Sequence, residues 1–291
     1  MLKAILGLLA VITTGYTAIY ANDFRKKRDK SKNGMFNKGI FIGFITDFLD
    51  AIGVGSFATT TGILKLSKNI NIPDRLLPGT LNVAHTLPMI VQAFMSMNSI
   101  GVDIVTLITM IVSAVIGSWV GAGIISKLPE KKVQLTMGVA LAGTAVLIVL
   151  GQVGLMPSGG DAMGLTGTKL VIGIVGNFIL GALMTAGIGL YAPCMAMVAL
   201  LGMNPKAAFP IMMGACSFVG PIASTKFIKE DAYEREISMG ITIGGVVGSI
   251  LALLFVTNMP VYWLKWLVVA VVTYTSVTML KSGLKKETIK I

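Results

Sequence analysis

Long apolar runs broken by short polar connections set the rhythm of this chain. After an initial run over residues 2 to 20, further apolar segments occupy roughly 38 to 64, 76 to 97, 102 to 126, 133 to 152, 170 to 201, 207 to 224, 237 to 256 and 261 to 280. Most are about as long as the 20 or so residues that a helix needs to cross a bilayer. All are expected to be helical, because unpaired backbone cannot face lipid. Two of them, 38 to 64 and 170 to 201, carry a Gly-x-Gly near the middle: Gly53-Val54-Gly55 and Gly187-Ile188-Gly189.

Composition agrees with a membrane solvent. Hydrophobic residues make up 54%, charged residues only 13%, and the mean hydropathy is +0.83. A soluble domain carries about twice that charged share. The net charge of +11 would suggest nucleic acid in a soluble protein, but here the basic residues crowd into a few connections, so no nucleic-acid partner is expected. Lys3 precedes the first apolar run and Arg25, Lys26, Lys27 and Arg28 follow it, a flank that favours a retained transmembrane anchor over a cleaved signal peptide.

The positive-inside rule places on the cytoplasmic side the connections with Arg25, Lys26, Lys27 and Arg28, with Lys65, Lys68 and Arg75, with Lys127, Lys131 and Lys132, with Lys226, Lys229 and Arg235, and the tail with Lys281, Lys285 and Lys286. Connections near 97 to 101, 153 to 168 and 257 to 260 lack Lys and Arg and read as external. These assignments agree only if segments 38 to 64 and 170 to 201 dip into the membrane and turn back. The N-terminus is then external and the C-terminus cytoplasmic. Re-entrant backbone is tolerated where protein or a water-filled cavity shelters it, so the two glycine breaks are expected to line a site.

Self-comparison finds the same order of landmarks twice. Phe44-Ile45 recurs as Phe178-Ile179, Gly53 and Gly55 as Gly187 and Gly189, Phe57-Ala58 as Tyr191-Ala192, Pro73 and Pro78 as Pro205 and Pro210, and Gly117-Ser118 as Gly248-Ser249. The expected architecture is an all-α polytopic membrane protein of two inverted repeats, 38–152 and 170–291. Each repeat is a re-entrant hairpin plus three crossings. Residues 1–37 precede them as an extra helix and basic loop, and 153–169 form an external linker. Inverted repeats with interrupted segments at matching positions point to a secondary transporter with a site near the bilayer midplane.

The chemistry concentrates near the breaks. Ser56, Thr59 and Thr60 follow the first break, where an exposed half-helix start and its hydroxyls would attract an anion; local backbone bonding is the plain alternative for each. Tyr191 and Pro193 follow the second, the proline suiting a first helical turn. Asp47 and Asp50 lie three apart on one face, candidates for ion coupling by a proton or sodium or simply water-exposed acids. Their counterparts are Gly181 and Met184. Asn82 and His85 lie three apart on the following segment, with Gly214 and Ser217 as counterparts; an anion contact and a helix-to-helix hydrogen bond are both open for them. A single histidine excludes a multi-histidine metal site, and no cofactor is expected. Cys194 and Cys216 lie in apolar runs as substrate contacts or as packing residues, not as a disulfide framework.

The motifs GVGSFATTT and GIGLYAPCM, each followed by a proline-led helix, resemble those of the sulfite exporter TauE/SafE family from about residue 38 onward. The resemblance implies a plasma-membrane permease for small sulfur-containing anions such as sulfite, thiosulfate or an organosulfonate. Gly187, Gly189 and Pro193 match the family's turn, whereas Thr59 stands where the first copy would have proline. Candidate substrate contacts are therefore Gly53, Gly55, Ser56, Thr59, Thr60, Asn82, His85, Gly187, Gly189, Tyr191, Pro193, Cys194 and Ser217, with Asp47 and Asp50 for coupling. A passive anion channel remains open, as does an intramembrane enzyme using Asp47 and Asp50. The expected partners are the anion, membrane lipid and a coupling ion, with the oligomeric state undetermined.

Overall fold

The computed structural model describes residues 2–29, 31, 33–67, 69–96, 101–156, 158–187, 189–255 and 262–285. The expected external connections near 97 to 101 and 257 to 260 lie largely or wholly outside these residues, as do Ile188 of the second Gly-x-Gly, and Lys68 and Lys286. The described residues form eleven α-helices: α1 (Leu2–Lys27), α2 (Asn33–Ala51), α3 (Ser56–Leu66), α4 (Leu77–Ser96), α5 (Ile104–Ile125), α6 (Glu130–Gln152), α7 (Gly167–Met184), α8 (Tyr191–Leu200), α9 (Pro205–Lys229), α10 (Arg235–Phe255) and α11 (Tyr262–Leu284). Named strands are absent among the described residues. Six helices are long and apolar enough to cross a membrane: α5, α6, α7, α10, α11 and the Pro210–Lys229 portion of α9. Together with outward-facing Ile108, Val112, Ile116 and Trp119 on α5, they make this a membrane protein. Helices α1 and α4 are not among the six.

Both long segments are broken where glycine was expected to break them. Helix α2 ends in a Schellman turn: Gly53 N–H donates to Asp50 O at 2.9 Å and Val54 N–H to Leu49 O at 2.9 Å. Gly53 (φ 90°), Gly55 (φ 88°) and Gly187 (φ 96°) occupy backbone conformations that a side chain disfavours. Lys38 Nζ near the start of α2 donates to Asn69 O just after α3 at 3.1 Å. On either side of α7–α8, Gly160 N–H donates to Met203 O at 3.1 Å and Asn204 N–H to Ala162 O at 2.8 Å. In each pair, the residues that enter and the residues that leave meet.

Helix packing is reciprocal. Helix α2 lies on α10 and α7 on α5; α10 lies on α4 and α5 on α9; α3 lies on α11 and α8 on α6; α4 meets α9 and α6 meets α11. Exchanging α2–α6 for α7–α11 maps these contacts onto themselves. One pair of close approaches obeys the same exchange. A methyl added at Gly248 would lie 2.3 Å from Phe44 O, and one added at Gly117 would lie 1.9 Å from Phe178 O. Bare glycine lets backbone meet backbone there.

Helix α4 contains Pro88, which has no N–H to give to Ala84 O. The Thr242 hydroxyl on α10 donates to that carbonyl at 2.8 Å instead. Helix α1 is bound into the bundle: Tyr16 OH donates to Val83 O at 3.1 Å, while Tyr233 OH and Arg235 Nε reach Asp23 at 2.6 and 2.8 Å.

Candidate functional site

The carboxylates of Asp47 and Asp50 sit at the end of α2, and each has its own partners. His85 on α4 places Nδ1 2.9 Å from both Asp47 oxygens, and its Nε2 is 3.0 Å from Thr60 Oγ1 on α3. Asp47, His85 and Thr60 are all fully buried. When Nδ1–H faces the Asp47 carboxyl group, Nε2 accepts the Thr60 proton, so both ring nitrogens have partners. Space for the carboxylate comes from Gly245 on α10, where an added methyl would meet Asp47 Oδ2 at 2.2 Å.

Asp50 turns to the start of α3. Its Oδ1 accepts the Ser56 N–H at 2.8 Å and its Oδ2 accepts from Gln92 Nε2 at 3.1 Å. Gln92 Nε2 also donates to Ser249 Oγ at 3.0 Å. The first N–H exposed by the break is thus held by a carboxyl group that the chain itself supplies. Helix geometry leaves the N–H groups of Phe57 and Ala58 without intrahelical acceptors, and both residues line a cavity.

That cavity, about 280 Å³, is bounded by Gly53, Val54 and Gly55 at the first break and by Gly189 at the second. The second half of α6 (Thr144, Leu147, Ile148, Gly151 and Gln152) and the first turns of α11 (Lys265 and Val268) close its side. Gln152 Nε2 donates to Tyr262 O at 2.9 Å and holds these two helices together beside it.

Of the expected substrate contacts, Gly53, Gly55 and Gly189 line this cavity. The others lie elsewhere. Ser56 is buried behind the break. Thr59 Oγ1 donates to Gly55 O and Ser56 O in its own helix at 2.8 and 2.9 Å. Thr60 and His85 serve Asp47. Asn82 Nδ2 donates to Pro78 O at 2.8 Å and to Thr185 O at 3.2 Å, tying α4 to the second break. Gly187 stands against Met137 and Leu81. Pro193 lines a separate groove of about 540 Å³ with Leu135, Leu180 and Leu183. Cys194 is buried in the apolar core, and Ser217 Oγ donates to Gly214 O of its own helix at 2.9 Å. Tyr191 opens α8, but its side chain lies outside the described residues. Lys265 was not among the expected residues; its signal is a lone cation inside the run YWLKWLVVA.

A family model described as sulfite exporter TauE/SafE matches residues 1–148. The chain belongs to that family. The match includes residues 1–37, which the motif resemblance left out, and ends within α6 before the second break. TauE/SafE membership makes this chain one of a family of membrane anion transporters. No curated protein and no solved structure matches the chain. No group of three or more His, Cys, Asp or Glu side chains that could hold a metal occurs among the described residues.

Proposed function

We propose that this TauE/SafE member is a secondary transporter that moves a small sulfur-containing anion across the plasma membrane by alternating access, without enzymatic chemistry. In this reading, α2–α3 and α7–α8 are re-entrant hairpins that enter from opposite faces. Each half adds three crossings, and the halves are inverted repeats, with an external N-terminus and a cytoplasmic C-terminus. The observation that carries the reading is the cavity bounded by Gly53 and Gly55 from one break and Gly189 from the other.

Three further features support it. The Lys38 to Asn69 bond and the bonds between 160–162 and 203–204 bring each hairpin back to where it began. The principal helix pairs described above map onto one another when the halves are exchanged. Helix α7 is long and apolar enough to cross, but with 18 residues, about 27 Å of rise, it is the shortest of the six such helices among the described residues, which suits the first arm of a hairpin.

Coupling is assigned to Asp47 and Asp50. Asp50 occupies the helix start that a guest anion would otherwise use, so a proton on Asp50 weakens its hold there and favours the guest. The Asp47–His85 contact supplies a second place for that proton. The test is flux in proteoliposomes with labelled sulfite, thiosulfate and organosulfonates under imposed pH gradients, including counterflow by unlabelled substrate. Counterflow is expected; flux that shows none belongs to a passive channel and overturns the carrier.

A further inference from the structure

The cavity between the breaks is lined by one formally charged side chain. Lys265 lies in the first turn of α11, part-buried, and no acidic residue lines the cavity with it. Among the described residues no carboxylate forms an ion pair with it. Around it the wall is largely hydrocarbon: Val54, Phe57, Leu147, Ile148, Met195 and Val268. Thr144 and Gln152 are the other polar side chains.

An ammonium group at an apolar wall compensates one negative charge. A small dianion entering the same space keeps an uncompensated charge while losing its water, which is costly in a poorly polarisable setting. A body of a few methylenes gains from the same wall, and 280 Å³ leaves room for it beside an acid group. We infer that Lys265 reads the charge of the guest, and that the cavity selects a singly charged anion with a short apolar body over small dianions. This inference rests on the reading of the cavity as the transport site. Sulfonate and carboxylate heads share the chemistry that Lys265 recognises.

The test is calorimetric titration of the purified full-length chain in detergent with methane-, ethane- and propanesulfonate, with butyrate, and with sulfate and thiosulfate. Affinity is expected to rise about fourfold for each methylene, with the dianions weaker than propanesulfonate; butyrate against propanesulfonate separates the two head groups. Lys265→Gln is expected to weaken sulfonate binding about tenfold or more, while Lys265→Arg keeps most of it. A flat chain-length series, dianions that bind tightest, or Lys265→Gln binding like the wild type would each overturn the inference. Counterflow of labelled sulfite, run beside these titrations, separates it from the transport reading. Counterflow unaltered in Lys265→Gln leaves transport standing and removes Lys265 from the site. Lysine-dependent sulfonate binding with no flux of any anion removes transport and keeps the site.

Discussion

Asp47 and Asp50 are three residues apart, yet their surroundings give them different work. Asp47→Asn keeps an acceptor for His85 Nδ1 but cannot ionise. We expect it to retain substrate exchange and lose accumulation driven by a pH gradient, read as flux with and without the gradient. Asp47→Ala leaves a buried donor on His85 unpaired, at a cost of about 1–3 kcal/mol, which a lowered unfolding midpoint in detergent would register. Gly245→Ala tests the same point from α10. An added methyl displaces the Asp47 carboxylate, so this variant should copy the coupling defect of Asp47→Asn while leaving the acid in place. Intact gradient-driven accumulation in Gly245→Ala and Asp47→Asn together would remove Asp47 from coupling. In Asp50→Asn the amide oxygen still accepts from Ser56 N–H, so the α3 start stays capped; full pH-driven accumulation there would remove Asp50.

Helices meet so closely in this bundle that single methyl groups matter. Gly248→Ala and Gly117→Ala each push backbone against a facing carbonyl, and each is expected to cost about 1–3 kcal/mol in thermal unfolding of the purified protein. Thr242→Val strands the Ala84 carbonyl that Pro88 leaves open, for about 1–3 kcal/mol by the same measurement. Element positions were largely legible beforehand, because apolar runs, prolines and the two Gly-x-Gly breaks are local signals. The segment expected at 170 to 201 divides into α7 and α8 at Gly187, as the motif implied. Side-chain partnerships were less legible. Thr60, His85 and Asp47 come from three different helices, and nothing local in the sequence says that the hydroxyl and the imidazole are committed to the acid. Gly245 is one of 34 glycines, so its place under Asp47 could be found only once α2 lay on α10. Lys265 stood in plain view, yet charge counts made over connections pass over a cation in the first turn of a helix.

At the scale of the whole chain, the reciprocal packing means that neither half is complete alone. Helix α2 finds its glycine-lined groove on α10, and α7 finds its own on α5. Helix α2 is therefore made early in synthesis but lacks its seat on α10 until more than two hundred residues have emerged. A fragment ending at residue 152 should be cleared rapidly when expressed by itself and rescued when residues 153 to 291 are supplied as a separate chain, measured as protein abundance in membranes. In the proposed carrier, the bodies that move against one another need not be the halves α2–α6 and α7–α11: α2 packs on α10 and α5 on α7, so each pair joins one helix from either half.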